Sequence, residues 1–339
     1  MKEITSIISV IIGALIGAGF ASGQEIYSFF YLYGTKGILG IILTYVLMTM
    51  LIYKTLKIVY KNKINNYNEF LEQFIKKEKI RKIINLGLNS LLLITFFIMV
   101  AGFGAYFEQE IGLSKISGSL IIVILCSITF FTNIKGVLKV SKYIVPILII
   151  FIITIGTINI STINIKKLEI MQVKEHWILS AIIYCSYNLI LLIPVLISLN
   201  KQIKEEKNIK KIAISSGIIM ALISMIIFML LTKEKANISN LEMPIVFIIR
   251  TYFAKFRKIY TFIILASIFT TALSVGIGFL QNISQNKKSY PQIVVLMCIT
   301  SLGISNFGFS TLVNLAYPIF GYIGIIQILW IITKNVCKK

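Results

Sequence analysis

The stretch Gly13-Ala14-Leu15-Ile16-Gly17-Ala18-Gly19-Phe20-Ala21-Ser22-Gly23-Gln24-Glu25 decides how this chain folds. It lies within an apolar run, roughly residues 4–31, and about 20 apolar residues cover the ~30 Å of a bilayer core. Each of its four glycines would destabilise a continuous helix by about 1 kcal/mol relative to alanine. A polar Ser22-Gly23-Gln24-Glu25 segment follows, before apolar Ile26-Tyr27-Ser28-Phe29-Phe30. The pattern predicts two half-helices with an unwound stretch at residues 17–23, near the bilayer midplane. Irregular backbone at that depth persists only where it lines a cavity inside the protein. The N–H groups opening the second half-helix would attract an anion such as a carboxylate. Gly13-x-x-x-Gly17 alone fits a helix-packing contact, but packing leaves Gly19, Gly23 and Gln24-Glu25 unexplained.

Nine further apolar runs follow, at roughly 37–59, 83–107, 116–132, 141–160, 176–199, 209–232, 259–282, 291–306 and 310–333. The whole chain of 339 residues is 57% hydrophobic and 14% charged, against about 25% charged in soluble domains. An all-α, polytopic membrane protein of ten spans is expected. The first run is too long, and too poor in a cleavage site, to read as a cleaved signal peptide. All thirteen acids are Glu, which argues against a carboxylate-rich metal enzyme. Cys126, Cys185, Cys298 and Cys337 show no CxxC spacing and imply neither a disulfide framework nor a zinc site. A net charge of +21 on so apolar a chain points to basic loops, not to nucleic acid.

Those loops give an orientation. Segments on the side of the N-terminus hold 23 of the 34 Lys and Arg residues, for a net +17 against +5 on the other side. The positive-inside rule then puts both termini in the cytoplasm of a multi-pass cell-membrane protein. Segment 64–82 carries Ile64, Tyr67, Phe70, Leu71, Phe74 and Ile75 at helical spacing, an amphipathic helix on the cytoplasmic face. Segment 241–253 is too short to span and reads as an apolar helix capping the outer face between spans seven and eight.

Three polar features lie within the spans. Span six carries Tyr184-Cys185-Ser186-Tyr187-Asn188 and then Pro194, an interruption that would pair with the one in span one. Paired interruptions in spans one and six of ten imply two five-span halves of opposite topology, residues 1–160 and 161–339. Span eight places Ser267, Thr270, Thr271 and Ser274 on one stripe. Such hydroxyls suit a hard monovalent cation such as Na⁺, or bond their own helix or a neighbour. Glu25 is the one acid within a span, and such an acid marks a functional site by default. Eight residues beyond Gly17, roughly 12 Å of helix rise, it falls near the outer interface. A proton-coupling group, a ligand for a substrate amine and an outer-gate ion pair are all open to it. His176, Trp177 and Trp330 read as interfacial.

The string Gly17-Ala18-Gly19-Phe20-Ala21-Ser22-Gly23-Gln24-Glu25-Ile26-Tyr27-Ser28-Phe29-Phe30 closely resembles the opening signature of the YkvI-like membrane proteins. These are a bacterial branch of the amino acid–polyamine–organocation transporter superfamily. Tyr184-x-x-Tyr187-Asn188, and Asn133-x-x-Gly136 before Ser141-Lys142, carry the likeness further. The resemblance implies a LeuT-like five-plus-five inverted repeat with helices one and six both broken and substrate between the breaks. It implies that Gly17, Ala18, Gly19, Phe20, Ala21 and Gly23 line the substrate, with amides of residues 18–23 on a carboxylate, and that Tyr184, Ser186, Tyr187 and Asn188 face it. It also implies a Na⁺ site from the carbonyls of Gly13 and Ile16 with Ser267, Thr270 and Thr271. Some relatives couple to protons through a lysine within helix five; here Lys142 lies at the cytoplasmic end of that span.

The sequence therefore points to an alternating-access secondary transporter of a small, amino-acid-like solute, with Na⁺ as coupling ion and no other cofactor. The alternatives are an H⁺-coupled transporter and a ligand-sensing permease homologue of the germinant-receptor kind. No nucleophile–base pair or phosphate loop suggests an enzyme.

Overall fold

Apolar stretches of membrane length leave the backbone one way to satisfy itself locally, the helix, and helices make up the computed structural model almost throughout. The structure describes residues 2–132, 137–158, 173–233, 238–283 and 289–334, with main chain alone for 2, 3, 132, 137–145 and 239. Asn133 and Gly136 fall outside the described residues, as do the side chains of Ser141 and Lys142.

Helix one comes in three pieces, Lys2–Leu15, Ala18–Ala21 and Gln24–Phe29. Helices two to five are Thr35–Lys61, Glu78–Tyr106, Lys115–Thr132 and Val137–Ile158. Helices six to ten are Trp177–Ser198, Lys207–Leu231, Arg257–Ile283, Tyr290–Ser305 and Phe309–Thr333. Among the described residues six helices are long and apolar enough to cross a membrane, and four shorter apolar helices accompany them. These are the ten expected runs. The surface is inverted relative to a soluble protein: Leu39, Val46, Ile83, Phe262, Ile299 and Leu315 are each more than half exposed, while Ser22, Gln24, Glu25, Ser186 and Ser224 are buried. Contiguous exposed apolar surface of this extent belongs against lipid, and the chain is a multi-pass membrane protein.

Helix one sits inside the bundle. It packs on helices five, six and seven, while its middle piece touches helices three and eight. Helix six is the neighbour of helices two and ten, and helix eight of helices three and five. Helices six and ten meet closely because Gly324 has no side chain: a Cβ there would lie 2.7 Å from the Ser186 carbonyl oxygen.

The structure corrects one expected feature. Helix six is continuous from Trp177 to Ser198, so the break anticipated beside Tyr184–Asn188 is absent. Pro194 lies inside this helix, where it removes one main-chain donor without ending it. The polar residues return their groups to the helix instead: the Asn188 side-chain amide donates to the Tyr184 carbonyl at 3.0 Å and the Ser186 hydroxyl to the Ile182 carbonyl at 2.7 Å.

Both connecting segments are structured. Of segment 64–82 only Tyr67–Glu72 forms a separate helix, capped by Asn66, whose side chain accepts from the Glu69 amide at 2.9 Å. Its apolar face is spent on the protein, with Ile64, Phe70 and Leu71 buried and Gln327 of helix ten donating to the Tyr67 hydroxyl at 2.6 Å. The expected cap between spans seven and eight is the helix Pro244–Tyr252.

Candidate functional site

The break in helix one follows from its glycines. Gly17 is extended, at φ −98° and ψ −172°, and no helical hydrogen bond spans Ile16 and Gly17. The carbonyls approaching that point and the amides of Gly17 to Phe20 beyond it are therefore released from the ladder. One turn later Gly23 adopts φ +81°, a left-handed conformation that glycine enters without steric cost. The chain turns there and starts the last piece at Gln24.

Several other groups of this kink find partners in the kink itself and in neighbouring elements. Ser22 donates to the Gly19 carbonyl at 3.1 Å and accepts from the Gln24 amide at 3.3 Å. Tyr260 of helix eight donates to the Ala21 carbonyl. The Ile245 amide of the cap helix donates to the Ser22 carbonyl at 2.9 Å. Ser180 of helix six donates to the Phe29 carbonyl, the end of the last piece, at 2.8 Å. Helices six and eight and the cap helix thus hold the kink in place, and Ile245 covers Gly23.

The turn at Gly23 carries Glu25 inward. A Cβ on Gly19 would lie 2.8 Å from the Glu25 Cγ and 2.9 Å from its Cδ, so the carboxylate rests against the backbone of the break. Glu25 thus lies closer to the break than eight residues of unbroken helix rise would put it. Glu25 is 4% exposed. Tyr187 donates to its Oε2 at 2.7 Å and Tyr184 to the same oxygen at 3.2 Å. Oε1 receives no hydrogen bond from any described residue.

The two tyrosines that bond the carboxylate belong to an aromatic cluster. Tyr184 and Tyr187 meet edge to face at 5.4 Å between centroids, and Tyr187 stacks on Tyr317 of helix ten at 4.5 Å. Phe29 lies against both helix-six tyrosines, at 5.3 Å and 5.7 Å. Phe29 also lines a cavity of roughly 270 Å³ with Lys174, His176, Asn314 and Tyr322.

Helix eight passes on another side of the break. Ser267 and Thr270 are buried, and the Thr271 Cγ2 comes within 3.7 Å of the point where a Gly17 Cβ would be. Thr270 donates to the Ser267 carbonyl at 3.1 Å and Ser274 to the Thr270 carbonyl at 2.9 Å. The hydroxyls of Ser267 and Thr271 have no hydrogen-bond partner among the described residues.

Of the residues singled out from sequence, the structure brings together Gly19, Glu25, Tyr184 and Tyr187 as one cluster and Gly17 with Thr271 as another. Gly13 and Ile16 lie immediately before the break. Ala18 and Phe20 are fully buried, the Ala21 carbonyl is taken by Tyr260, and Gly23 serves the turn beneath the cap. Ser186 and Asn188 bond their own helix. Sequence reasoning missed Phe29 and Tyr317, which complete the aromatic cluster; aromatic residues are common in spans, and nothing in their spacing set these apart.

Comparison with known proteins agrees with this architecture. The chain is 29% identical to the uncharacterized membrane protein YkvI of Bacillus subtilis (strain 168), over 97% of this chain and 94% of that protein. It is 24% identical to the uncharacterized protein YyaD of the same organism, over 97% of this chain and 96% of that protein. The likeness to the YkvI-like proteins seen in residues 17–30 thus extends along essentially the whole chain. No family model matches it. Among solved structures, a Na⁺-coupled sialic acid symporter in its substrate-bound outward-open state shares the fold, with a TM-score of 0.56 at 14% identity. That match covers 95% of this chain and 76% of the symporter, and the fold is the LeuT-like one.

Proposed function

We propose that this protein is a secondary transporter that moves a small, amino-acid-like solute by alternating access, with the solute bound at the break in helix one and with Na⁺ as its coupling ion. One observation carries the reading: a buried carboxylate, released main-chain groups and spare hydroxyls converge on an interrupted helix in the middle of a membrane bundle. A polar site of this kind is costly in hydrocarbon and is retained where something polar must bind. The fold shared with a Na⁺-coupled symporter supports it.

The two halves, 1–160 and 161–339, act in this reading as inverted repeats. Their packing supports the exchange of each helix n for n+5. Helix two packs on six as seven does on one, six on ten as one on five, and three on nine as eight on four. Eight packs on five as three on ten, and seven on five as two on ten. Helix six, unbroken where helix one is broken, is the point where the two halves differ. The N-terminus and the 64–82 segment face the cytoplasm, in line with the +17 against +5 partition of charge.

The Na⁺ site is formed by Ser267, Thr270 and Thr271 with the carbonyls of Gly13 and Ile16. The residues fit: they offer only hard oxygen donors, and two of the hydroxyls are uncommitted. Uptake into proteoliposomes under an imposed Na⁺ gradient, then under a pH gradient, tests transport and coupling together. Thr271→Ala is expected to remove the Na⁺ dependence while leaving solute binding within about threefold of the parent, a loss well under the 1.4 kcal/mol that corresponds to tenfold. Uptake indifferent to Na⁺ in the parent protein rejects the coupling ion. Binding without any flux would favour a sensor.

A further inference from the structure

We propose that the groove between the cytoplasmic ends of helices two and seven binds an anionic phospholipid, its phosphodiester at Lys210, Tyr53 and Lys57 and its acyl chain along Val46, Met50 and Ile214. The proposal stands apart from the transport reading. It takes from it only the side of the membrane that the charge partition gives to these helix ends.

The groove forms where two helices part. Near their middle, helices two and seven touch: the hydroxyls of Tyr45 and Ser224 lie 2.6 Å apart, and a Cβ on Gly217 would collide with the Thr49 side chain. One turn nearer the start of helix seven the sequence offers only the methyl of Ala213. A space of roughly 380 Å³ opens there, lined by Val46, Met50 and Tyr53 of helix two and by Lys210, Ala213 and Ile214 of helix seven. Its walls are largely apolar and it faces outward, with Val46 62% and Ile214 40% exposed. In a membrane protein such surface is covered by hydrocarbon.

The rim at the helix ends has the opposite character. Lys57 donates to the Tyr53 hydroxyl at 3.2 Å and lies 5.4 Å from the centre of its ring, so the hydroxyl keeps its own proton for another acceptor. Lys57 and Lys61 share Glu206, at 3.8 Å and 3.7 Å. Lys210 and Lys211 are exposed and have no carboxylate partner among the described residues. Across these helix ends Lys57, Lys61, Lys207, Lys210 and Lys211 outnumber Glu205 and Glu206. Groove and rim together define the occupant. A free anion leaves the apolar walls uncovered, and a zwitterionic lipid brings an ammonium group to a rim with surplus positive charge. An anionic headgroup gains about fivefold in affinity for each basic residue near the membrane surface.

The test follows thermal unfolding of the full-length protein in detergent at constant ionic strength. The probes are phosphatidylglycerol, phosphatidylcholine with the same acyl chains, and glycerophosphoglycerol, the anionic headgroup without chains. A ligand that binds only the folded state raises the melting temperature in a saturable way. Phosphatidylglycerol is expected to do so, and the other two are not. Lys210→Gln with Lys211→Gln is expected to weaken phosphatidylglycerol at least about tenfold, and Val46→Trp, which fills the groove from its lipid side, about tenfold. Lys76→Gln with Lys77→Gln removes the same charge from an exposed stretch outside the groove, and is expected to leave binding within about twofold of the parent. All five replaced side chains are exposed, and each variant's shift is read from its own unliganded melting temperature. An equal response to phosphatidylcholine overturns the proposal, as does one of the same strength to glycerophosphoglycerol. Equal losses in the two lysine pairs, or parental binding in Val46→Trp, also overturn it.

Discussion

Gly19→Ala is expected to abolish solute uptake in a protein that still folds and inserts. The smallest possible side chain is enough, because its Cβ would lie 2.8 Å from the Glu25 Cγ and 2.9 Å from the Cδ. Real Cβ contacts do not come that close, so the Glu25 side chain must shift away from the break. A shift that costs the bonds from Tyr187 and Tyr184 loses about 1.5–3 kcal/mol for each, since both go to a charged group. If the solute site needs that arrangement, the lower figure for both bonds corresponds to about 100-fold in the population of the binding-competent site. Gly19→Leu should act in the same direction and more severely. Gly17→Ala is the control, with its nearest neighbour, the Thr271 Cγ2, at an ordinary 3.7 Å and a φ of −98° that alanine accepts. Uptake in Gly17→Ala is expected within about threefold of the parent, a difference under 1 kcal/mol. Both variants should appear in the membrane at parental levels. Parental uptake in Gly19→Ala would remove Glu25 from the solute site, and equal losses at both glycines would reduce the motif to helix packing.

The contrast between Gly17 and Gly19 also shows what the sequence can and cannot carry. Hydrophobic runs placed all ten helices within a few residues, because a bilayer imposes length and apolarity on each segment independently. The break in helix one was legible for a similar local reason: clustered glycines and an SGQE tail have no other economical place in a span. The cap helix between spans seven and eight was legible from its length alone. What escaped were properties settled by neighbours. The polar run at Tyr184–Asn188 reads as an interruption, yet Asn188 and Ser186 return their polar groups to their own helix, which stays whole. The distance of Glu25 from the break could not be obtained by counting residues, since one left-handed glycine redirects the chain. The 64–82 segment showed its apolar face but not the surface it covers, which proved to be the protein and not the lipid.

The second large effect is expected at the far end of the cap helix. Glu110 lies in the wide helical turn Phe107–Ile111 that follows helix three, with its side chain 1% exposed, and its carboxylate faces Arg250 at 3.4 Å and Arg257 at 3.7 Å. The two arginines are 36% and 47% exposed. They also donate to the carbonyls of Gln109 and Glu110, while Gln109 bonds both main-chain groups of Met243. The cluster ties the cap helix to helices three and eight, and through Ile245 to the kink at Ser22. Because the acid is buried and the bases are not, the two sides of the cluster are unequal. Glu110→Gln leaves arginines that water can reach, and should lower the melting temperature of the purified protein little. Arg250→Met with Arg257→Met keeps the aliphatic stems but strands a buried charge, a loss of about 3–5 kcal/mol when a partner of a buried pair is removed. That double variant is expected to unfold many degrees lower. Adding Glu110→Gln to it should recover most of the loss, since the stranded charge is then gone. A double variant as stable as the parent, or a triple variant no better than the double, would mean that the cap helix is held by its apolar contacts and not by this cluster.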